Sequence, residues 1–401
     1  MKSKLLPRLL PLWILAVSCS VQPDPLFESL DPSASGVTFV NTLEPDKTLN
    51  IINNLYYYDG GGVAVADIDA DGFPDLFFVS NEGDHALYKN NGNLTFTDVT
   101  TSSGIIDPQT SSAHGSWSTG AAFADVNGDG FSDLFVVRSS FKGRESRHSL
   151  FINQGDGTFE DKAEEWGVGL STYGTHVAFF DYDRDGDLDM YLLNHSFHSE
   201  RSYGEAERLR PLVDPLAGDR LLENTGERFI DVTAQSGIQR SALGYGLGVA
   251  IADINLDGWP DIYIGNDFHE NDYLYLNQKN GTFKEVASEV FAYTSNSSMG
   301  NDIADLNGDG YPDIVSLDMM PTTRETFMSS GGGDMPRVAR IKQDLGYQMH
   351  ANHNTIQMHQ GIGPKGEPVF REMAMLKGIA KTDWSWAVLA ADFTNSGHRD
   401  L

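Results

Sequence analysis

The chain has 401 residues, of which 57 are acidic and 28 are basic, so its formal net charge is -29. This negative charge argues against nucleic acid or an anionic membrane surface as a partner of the folded part. Disorder through self-repulsion is disfavoured as well, because 40% of the residues are hydrophobic, 11% are aromatic and 41 are glycine. We therefore expect a packed, turn-rich protein with several domains or one large repeat architecture.

The first predicted element is an export signal over residues 1–19. Basic residues precede an apolar run from Leu9 to Val17, and this run is too short to span a bilayer. Cys19, the one cysteine of the chain, follows the run, which resembles a bacterial lipoprotein signal with Cys19 as the lipidated residue. The alternative is plain secretion with Cys19 inside the signal. We expect an exported protein, on the bacterial outer membrane or cell surface or else secreted, with a membrane contact only through the lipid and a proline-containing tether over residues 20–35.

From residue 36 onward, one acidic motif recurs. DIDADGFPDL begins at Asp67, and related segments begin at Asp125, Asp181, Asp253 and Asp305. Each copy follows a short strand of small apolar residues, such as TGAAFAD, and leads into a β-branched and aromatic strand, such as DLFVVR. A third strand, which ends in Asn in four copies, and a fourth strand after a polar turn complete each repeat.

The repeat predicts an all-β fold, a β-propeller of four-stranded blades. A β-sandwich or a β-helix does not explain why each repeat holds four strands of differing character. The small-residue first strand should lie nearest the axis, because blades crowd there. A sixth copy, DFTNSGHRDL from Asp392 to Leu401, is less complete, although WAVLAAD before it has the features of another first strand.

The segments GGGVAVADIDADGFPDLFF and LYKNNGNLTFTDVTTSSGI resemble FG-GAP/VCBS repeat proteins of the ASPIC/UnbV and cartilage-acidic-protein branch, which is related to the integrin α-subunit propeller. The resemblance covers residues 36–401, although the literal Phe-Gly and Gly-Ala-Pro signatures are absent. It implies a ring of usually seven blades, whereas this chain holds five full repeats and part of a sixth. We therefore expect an incomplete propeller from a partial chain, with SGVTFVNT near Gly36 as the outer strand that closes the ring.

Each complete loop offers side-chain oxygens at positions 1, 3, 5 and 9, counted from its first Asp, while position 6 is always glycine. These oxygen-bearing residues are Asp67, Asp69, Asp71, Asp75; Asp125, Asn127, Asp129, Asp133; Asp181, Asp183, Asp185, Asp189; Asp253, Asn255, Asp257, Asp261; and Asp305, Asn307, Asp309, Asp313. An all-oxygen turn favours Ca²⁺ over Mg²⁺ or Zn²⁺, so we predict five structural Ca²⁺ sites. The alternative is a set of Asp-rich turns whose carboxylates cap their own backbone. In the sixth copy Thr394 and Ser396 replace acids, and metal binding there is disfavoured.

Propeller topology places these loops on one face and the connections between second and third strands on the other. Two long insertions, Asn194 to Asp219 and Asp318 to Asn354, fall on the second face, and each contains a segment suited to a short helix. Aromatic residues eight positions before the first Asp are predicted to surround the channel mouth as a candidate ligand face, or else to wedge blades together: Trp117, Tyr173, Tyr245 and Trp384.

The sequence contains no recognisable catalytic motif. We predict a non-enzymatic, exported, calcium-stabilised propeller that binds a protein or a glycan. The alternative is an enzyme acting on polysaccharide, a lyase or hydrolase, whose candidate residues are His114, His176, His195, His350 and Glu270. A third hypothesis is a purely structural surface-layer or adhesion component.

Overall fold

The structure is a computed structural model that describes residues 26–47, 49–106, 117–140, 146–197, 199, 202, 204–330 and 336–401. The predicted signal over residues 1–19, including Cys19, lies outside the described residues, as do residues 20–25 of the predicted tether.

The described chain is built from consecutive four-stranded antiparallel sheets. The first sheet contains β1 (Gly62–Ala66), β2 (Asp75–Val79), β3 (Ala86–Asn90) and β4 (Phe96–Asp98). The second contains β5 (Ser118–Ala124), β6 (Asp133–Arg138), β7 (Ser149–Asn153) and β8 (Phe159–Asp161). The third contains β9 (Gly174–Phe180), β10 (Asp189–Asn194), β11 (Arg220–Asn224) and β12 (Phe229–Asp231).

Two further sheets follow. The fourth contains β13 (Gly246–Ala252), β14 (Asp261–Asn266), β15 (Tyr273–Asn277) and β16 (Phe283–Glu285). A short strand β17 (Thr294–Ser295) comes next, and it pairs in parallel with β20 (His350–Ala351). The fifth sheet contains β18 (Asn301–Ala304), β19 (Asp313–Ser316), β21 (Thr355–Ile362) and β22 (Pro368–Glu372).

The same register recurs where each acidic loop joins the first and second strands. In the first, second and fourth sheets, an alanine that ends the first strand pairs with the Asp that begins the second strand, as in Ala66 with Asp75. The fifth sheet does the same with Ala304 and Asp313, and in the third sheet Phe180 takes the place of the alanine and pairs with Asp189. One loop geometry is therefore fixed five times by strand pairing.

Consecutive sheets meet through their first strands. β5 lies between β1 and β9, and β13 lies between β9 and β18. A Cβ atom placed on Gly120 in β5 would lie 3.2 Å from the carbonyl oxygen of Thr175 in β9, so small residues are needed there. The predicted propeller architecture, with the small-residue strand innermost, is confirmed. Five complete sheets are described, and the expected count of seven blades stays a prediction.

The hydrophobic core lies between neighbouring sheets. Phe77 of the first sheet and Phe151 of the second share one buried cluster, and Val137 of the second sheet and Met190 of the third share another. Burial of each such side chain contributes roughly 1.5 to 3 kcal/mol. Each sheet therefore depends on its neighbours for much of its stability.

The helices are short, and several follow the fourth strand of a repeat. Their bounds are α1 (Pro32–Ser35), α2 (Thr100–Ser103), α3 (Ala206–Leu209), α4 (Thr233–Ser236), α5 (Ala287–Val290), α6 (Arg324–Ser329), α7 (Pro336–Asp344) and α8 (Ala374–Lys377). α3 and α7 lie in the two insertions, as predicted. Among the described residues, no helix has the length and apolar character needed to cross a bilayer.

The segment near Gly36 is not the predicted outer strand. The residues that cap the C-termini of α1 and α2, Gly36 and Gly104, both adopt the left-handed conformation. Each glycine packs against the carbonyl of a phenylalanine that begins a fourth strand. The following residues form no described strand, because their contacts are made by side chains: Phe39 stacks on Phe78 with ring centroids 5.3 Å apart. The segment therefore packs on the first sheet as the end of a repeat, without extending a sheet.

The sixth copy also differs from the prediction. WAVLAAD lies beside β18, where Gly300 N–H donates to the Trp386 carbonyl at 2.9 Å, but it forms no described strand. Its pairing with the segment after the loop is a single bridge between Ala391 and Asp400, too little for a ladder.

Candidate functional site

The acidic loops hold their shape through their own carboxylates. In the second loop, the two oxygens of Asp125 at position 1 accept hydrogen bonds from the N–H groups of Asp129 and Gly130, at 3.1 and 2.8 Å. Asp129 at position 5 in turn accepts the N–H of Phe131 at 2.9 Å. The other four complete loops repeat these bonds. The carboxylates at positions 1 and 5 therefore do cap backbone N–H groups of their own loop, as the alternative of Asp-rich turns proposed.

The Asp at position 9 connects each loop to the third strand of its own sheet. Asp133 is 1% exposed and accepts the N–H of Val126 in the loop at 3.0 Å and the N–H of Asn153 at the end of β7 at 2.8 Å. Asp75, Asp189, Asp261 and Asp313 make the equivalent pair of bonds.

Burial raises the pKa of these position 9 carboxyl groups. It raises the pKa of Asp189 and Asp261 to about 7 and that of Asp133 to about 6, from an ordinary value of 3.8, although their backbone hydrogen bonds act in the opposite direction. The pKa values of Asp75 and Asp313 are raised by burial as well. A cation beside such a group favours its charged form, so a divalent ion in the loop would lower these pKa values again.

The donor set fits a hard divalent cation. Carboxylate oxygens of Asp67, Asp69 and Asp71 lie within 4.8 Å of one another, and so do those of Asp181, Asp183 and Asp189. The buried Oδ1 atoms of Asp69 and of Asp187, the latter at position 7 of the third loop, have no hydrogen-bond partner among the described residues. Several carboxylates with unsatisfied oxygens in one turn are the ligands that Ca²⁺ takes.

The Asn that ends a third strand makes a bond to the preceding sheet. Asn153 Nδ2 donates to the carbonyl of Ile68, which is position 2 of the first loop, at 2.8 Å. Asn224 and Asn277 donate in the same way to Val126 and Tyr182, each at 2.8 Å. These inter-sheet asparagines join each loop to the next sheet in the ring. Asn90 of the first sheet bonds only within its own sheet among the described residues.

His359 takes the place of this asparagine in the fifth sheet. Its Nδ1 atom accepts the N–H of Gly361 at 2.9 Å, so the neutral ring carries its proton on Nε2, which lies 3.1 Å from the carbonyl of Ile254. Desolvation lowers the pKa of His359, in keeping with a neutral ring. The histidine thus supplies one acceptor and one donor, as asparagine does in the other sheets.

The sixth loop keeps the fold of the others with fewer acids. Asp392 accepts the N–H groups of Ser396 and Gly397 at 2.8 and 2.7 Å, as position 1 does elsewhere. Asp400 accepts the N–H and hydroxyl of Thr394 at 3.1 and 3.0 Å. The backbone turn therefore forms without carboxylates at positions 3 and 5.

A cavity of about 390 Å³ lies inside the ring, at the end where the first strands begin. Every described sheet contributes to its wall through its first strand or the residues just before it, and residues 386–389 complete the lining. This end is opposite to the acidic loops, which follow the first strands. Asp59, Trp117, His176, His195 and Trp386 give the wall aromatic and titratable groups.

Two polar groups of the cavity wall are unusual. Both amide atoms of Asn301 are buried and have no hydrogen-bond partner in the part of the chain that the structure describes. Desolvation and the charge of Asp267 raise the pKa of Asp59 to about 7, although Asp59 remains accessible to water. Perturbed titratable groups together with aromatic side chains in a concave site are typical of binding sites.

The four aromatic residues of the candidate ligand face do not form one ring. Trp117 is 3% exposed and stacks on Tyr57, while Tyr245 is 1% exposed and donates to Ser202. Tyr173 packs against Phe197 with ring centroids 4.7 Å apart. Tyr173 and Tyr245 thus pack against neighbouring side chains, whereas Trp117 also lines the cavity, and the choice between a ligand face and a wedge between blades stays a prediction. Trp384 is 46% exposed and lies in a separate groove with Met319, and Trp386, two residues later, lines the cavity.

The candidate catalytic residues are dispersed among the described sheets. His176 and His195 both line the cavity. Glu270 is fully buried and forms an ion pair with Arg210 at 2.9 Å, and His350 lies in β20. His114 is outside the described residues. The structure therefore does not bring this set together into one site.

Sequence reasoning missed two features of the loops. The inter-sheet role of Asn153 and its equivalents had a signal, since Asn ends the third strand in four repeats. Lys89, whose ammonium group reaches the first loop from β3, had none, because its position in the chain gives no sign of that contact.

The sequence model of the FG-GAP-like repeat matches residues 67–136, 127–192 and 253–316. The predicted resemblance to FG-GAP repeat proteins is confirmed.

Among relatives, cartilage acidic protein 1 of Mus musculus is 28% identical over 313 residues, which is 73% of this chain and 44% of that protein. The Homo sapiens protein of the same name is 27% identical over 314 residues, 73% of this chain and 43% of that protein. Integrin alpha-7 of Homo sapiens is 34% identical over 106 residues, 24% of this chain and 9% of the integrin. The chain thus spans less than half the length of these relatives.

Among solved structures, an Agrocybe aegerita lectin described as recognising non-reducing terminal N-acetylglucosamine has a TM-score of 0.42 at 16% identity, covering 80% of this chain and 66% of the lectin chain. The V. cholerae biofilm matrix protein Bap1 has a TM-score of 0.33 at 16% identity, covering 66% of this chain and 35% of that chain.

Proposed function

We propose that this chain of FG-GAP-like repeats, homologous to cartilage acidic protein 1 and to integrin alpha chains, is an exported, calcium-stabilised propeller that binds a protein or glycan partner. The observation that carries the proposal is the division of the ring into two faces. Five acidic loops of one geometry occupy one face, and the cavity and both long insertions lie at the other.

Calcium would be held by the oxygens at positions 1, 3, 5 and 9 of the complete loops. The ion would supply positive charge to neighbouring carboxylates, which otherwise repel by roughly 4 kcal/mol per pair about 4 Å apart. Because the position 9 Asp also accepts N–H groups from the loop and from the third strand, a bound ion would stabilise both attachments. Calcium has a structural role in this proposal, since the loops are tight and each oxygen set is contained within one turn.

The ligand surface is proposed at the cavity end of the ring. Trp386 is 42% exposed there, and a half-exposed aromatic ring offers a face for stacking on a sugar or for anchoring a protein side chain. The Asn301 amide, which has no partner among the described residues, offers its N–H groups and its carbonyl oxygen nearby. A volume of about 390 Å³ is within the range of small-ligand sites, so a single sugar or side chain is the expected size of the inserted group.

Export is supported by the basic and apolar pattern before Cys19. With a single cysteine, an exported chain has no internal disulfide, so calcium would serve as a source of stability outside the cell. We also propose that the exported protein is attached to the membrane through a lipid on Cys19. Mass spectrometry of the protein from membranes would detect the lipid, and an intact, unprocessed N-terminus would contradict export.

The test of function is binding of the labelled chain to a glycan array and to a panel of extracellular matrix proteins, with and without EGTA. We expect retention on one of the two surfaces, weakened at least about tenfold by Trp386→Ala and unchanged by Trp384→Ala, which lies in the other groove. Turnover of a polysaccharide panel would favour the enzyme alternative instead. Absence of binding to both surfaces in the presence of calcium would contradict the proposal.

A further inference from the structure

One position of the third strand differs in charge between repeats. It is the residue just before the inter-sheet asparagine or its equivalent. In the first four sheets it pairs with the second residue of the fourth strand, and in the fifth sheet it pairs with Arg371 near the end of β22. The residues at this position are Lys89, Ile152, Glu223, Leu276 and Met358. Two of the five repeats therefore carry a charge here, and the two charges have opposite sign.

In the first repeat, the lysine at this position reaches the acidic loop. Lys89 Nζ donates to Asp69 Oδ2 and lies 3.3 Å from Asp71 Oδ2. Both carboxylates belong to the cluster that includes Asp67. The ammonium group thus neutralises the groups that are the expected ligands of a cation in this loop.

In the third repeat, the glutamate adds to an already acidic loop. Glu223 accepts the hydroxyl of Tyr182, which is position 2 of that loop, at 3.1 Å. The loop carries Asp at positions 1, 3, 5, 7 and 9, from Asp181 to Asp189. Among the described residues, no ion pair is formed by these five aspartates, because Arg184 at position 4 of the loop lies over the ring of Trp259, 5.5 Å from its centroid.

We propose that this strand position sets the calcium affinity of each loop, with Lys89 acting as a built-in competitor in the first loop and Glu223 strengthening the third. The inference rests on the proposed calcium function and goes beyond it, because it ranks the sites. One charge within about 4 to 6 Å shifts proton affinity by roughly 10- to 1000-fold, so a divalent ion should respond by at least about tenfold. The first loop is then the weakest of the five complete loops and the third is the tightest.

A smaller effect of the same kind is expected in the fourth loop. Lys279 Nζ lies 3.3 Å from Asp257 Oδ2, but it contacts no second loop carboxylate among the described ion pairs. It comes from the turn after β15 and not from the strand position, so it serves as an internal comparison for Lys89.

The test is calcium titration of the purified chain by calorimetry, with native mass spectrometry to count bound ions. Lys89→Ile replaces the exposed lysine side chain with the isoleucine that the second repeat has at this position. Lys89→Arg retains the positive charge and is the matched control. We expect Lys89→Ile to tighten one site at least about tenfold, Lys89→Arg to leave it weak, and Glu223→Leu to weaken the tightest site. Adding Asp67→Ala to Lys89→Ile should abolish the improved site, which assigns it to the first loop.

The possible outcomes distinguish a failure of the affinity ranking from a failure of the proposed calcium binding. Calcium bound at five sites of equal affinity, unchanged by Lys89→Ile, would overturn the role of Lys89 and leave the calcium function intact. Absence of bound calcium in the wild type and in every variant would overturn both. An improved site that survives Asp67→Ala would show that Lys89 acts elsewhere, and would also overturn the inference.

Discussion

The side-chain Nδ2 atom of Asn153 lies 2.8 Å from the carbonyl oxygen of Ile68, a residue of the preceding sheet that is 85 positions earlier in the chain. The backbone N–H of the same asparagine donates to Asp133 at position 9 of its own loop. One residue therefore connects the acidic loops of two neighbouring sheets. The bond recurs at the next two sheet boundaries with asparagine and at the fourth with His359.

The first prediction concerns Asn153. We expect Asn153→Ala to lower the free energy of unfolding by about 1 to 3 kcal/mol, because the buried Ile68 carbonyl loses its hydrogen-bond partner. Asn90→Ala is the matched control, since the described bonds of Asn90 lie within its own sheet and none reaches a preceding loop. Urea unfolding measures both variants. An equal loss for the two would contradict an inter-sheet contribution.

The second prediction concerns acid sensitivity at His148. Its Nδ1 accepts the N–H of Arg138 at 3.0 Å, and burial, with the charge of Arg138, lowers the pKa of His148 from 6.5 to about 3. The unfolded chain takes up this proton first, so the stability from the neutral ring is complete above pH 6.5 and falls as the pH drops towards 3, by about 1.4 kcal/mol per unit.

Asn354 supplies the equivalent acceptor in the fifth sheet, bound by the N–H of Asp318 at 2.8 Å. We therefore expect His148→Asn to fold and to flatten the decline of unfolding free energy between pH 6.5 and 3. Chemical unfolding at several pH values is the measurement. A variant whose decline matches that of the wild type would rule out His148 as its source.

The third prediction has the opposite sign. Asp272 is buried, accepts the Tyr263 hydroxyl at 2.7 Å and the Asn266 N–H at 2.9 Å, and its pKa is raised by burial to about 7. The stability from the protonated form is complete below pH 3.8 and is lost as the pH rises through 7. We expect Asp272→Asn to be more stable than the wild type at pH 8 and close to it at pH 4. A variant destabilised equally at both values would show that the carboxyl is needed in either protonation state.

The fourth prediction concerns metal stoichiometry. Asp125→Ala should remove one bound Ca²⁺, because position 1 of the second loop is lost, and should reduce the calcium-dependent stability by roughly 0.4 to 1.4 kcal/mol. Asp392→Ala changes the corresponding residue of the sixth loop and should leave the ion count unchanged, since positions 3 and 5 there lack acids. Native mass spectrometry counts the ions. Loss of an ion in Asp392→Ala would show that the sixth loop binds metal after all.

The sequence was sufficient for the architecture because the repeat combines two strong signals. Strands of small residues that alternate with β-branched strands define the sheets. The acidic loop between them occurs at a fixed position in each repeat and sets the strand register, as in the pairing of Ala66 with Asp75. Contacts between repeats were harder to predict from the sequence. A hydrogen bond from Asn153 to Ile68 depends on how sheets sit beside one another, which the order of residues within one repeat does not specify.

Aromatic residues and chain ends were predicted least well. Trp117 and Tyr245 occupy equivalent positions in their repeats, but both are buried, and Trp117 lines the cavity together with Trp386, which was not predicted. The segment at Gly36 resembles a repeat end, and it does end a helical turn, yet side-chain contacts replace the ladder that a strand needs.

Thermal unfolding in millimolar calcium and in EGTA tests the central claim most directly, with magnesium as the control for charge alone. Five sites at one to ten times their dissociation constants should add roughly 2 to 7 kcal/mol. For a chain of this length the midpoint should therefore rise by roughly 2 to 9 °C with calcium and by less with magnesium. An identical midpoint in calcium and in EGTA would contradict the account.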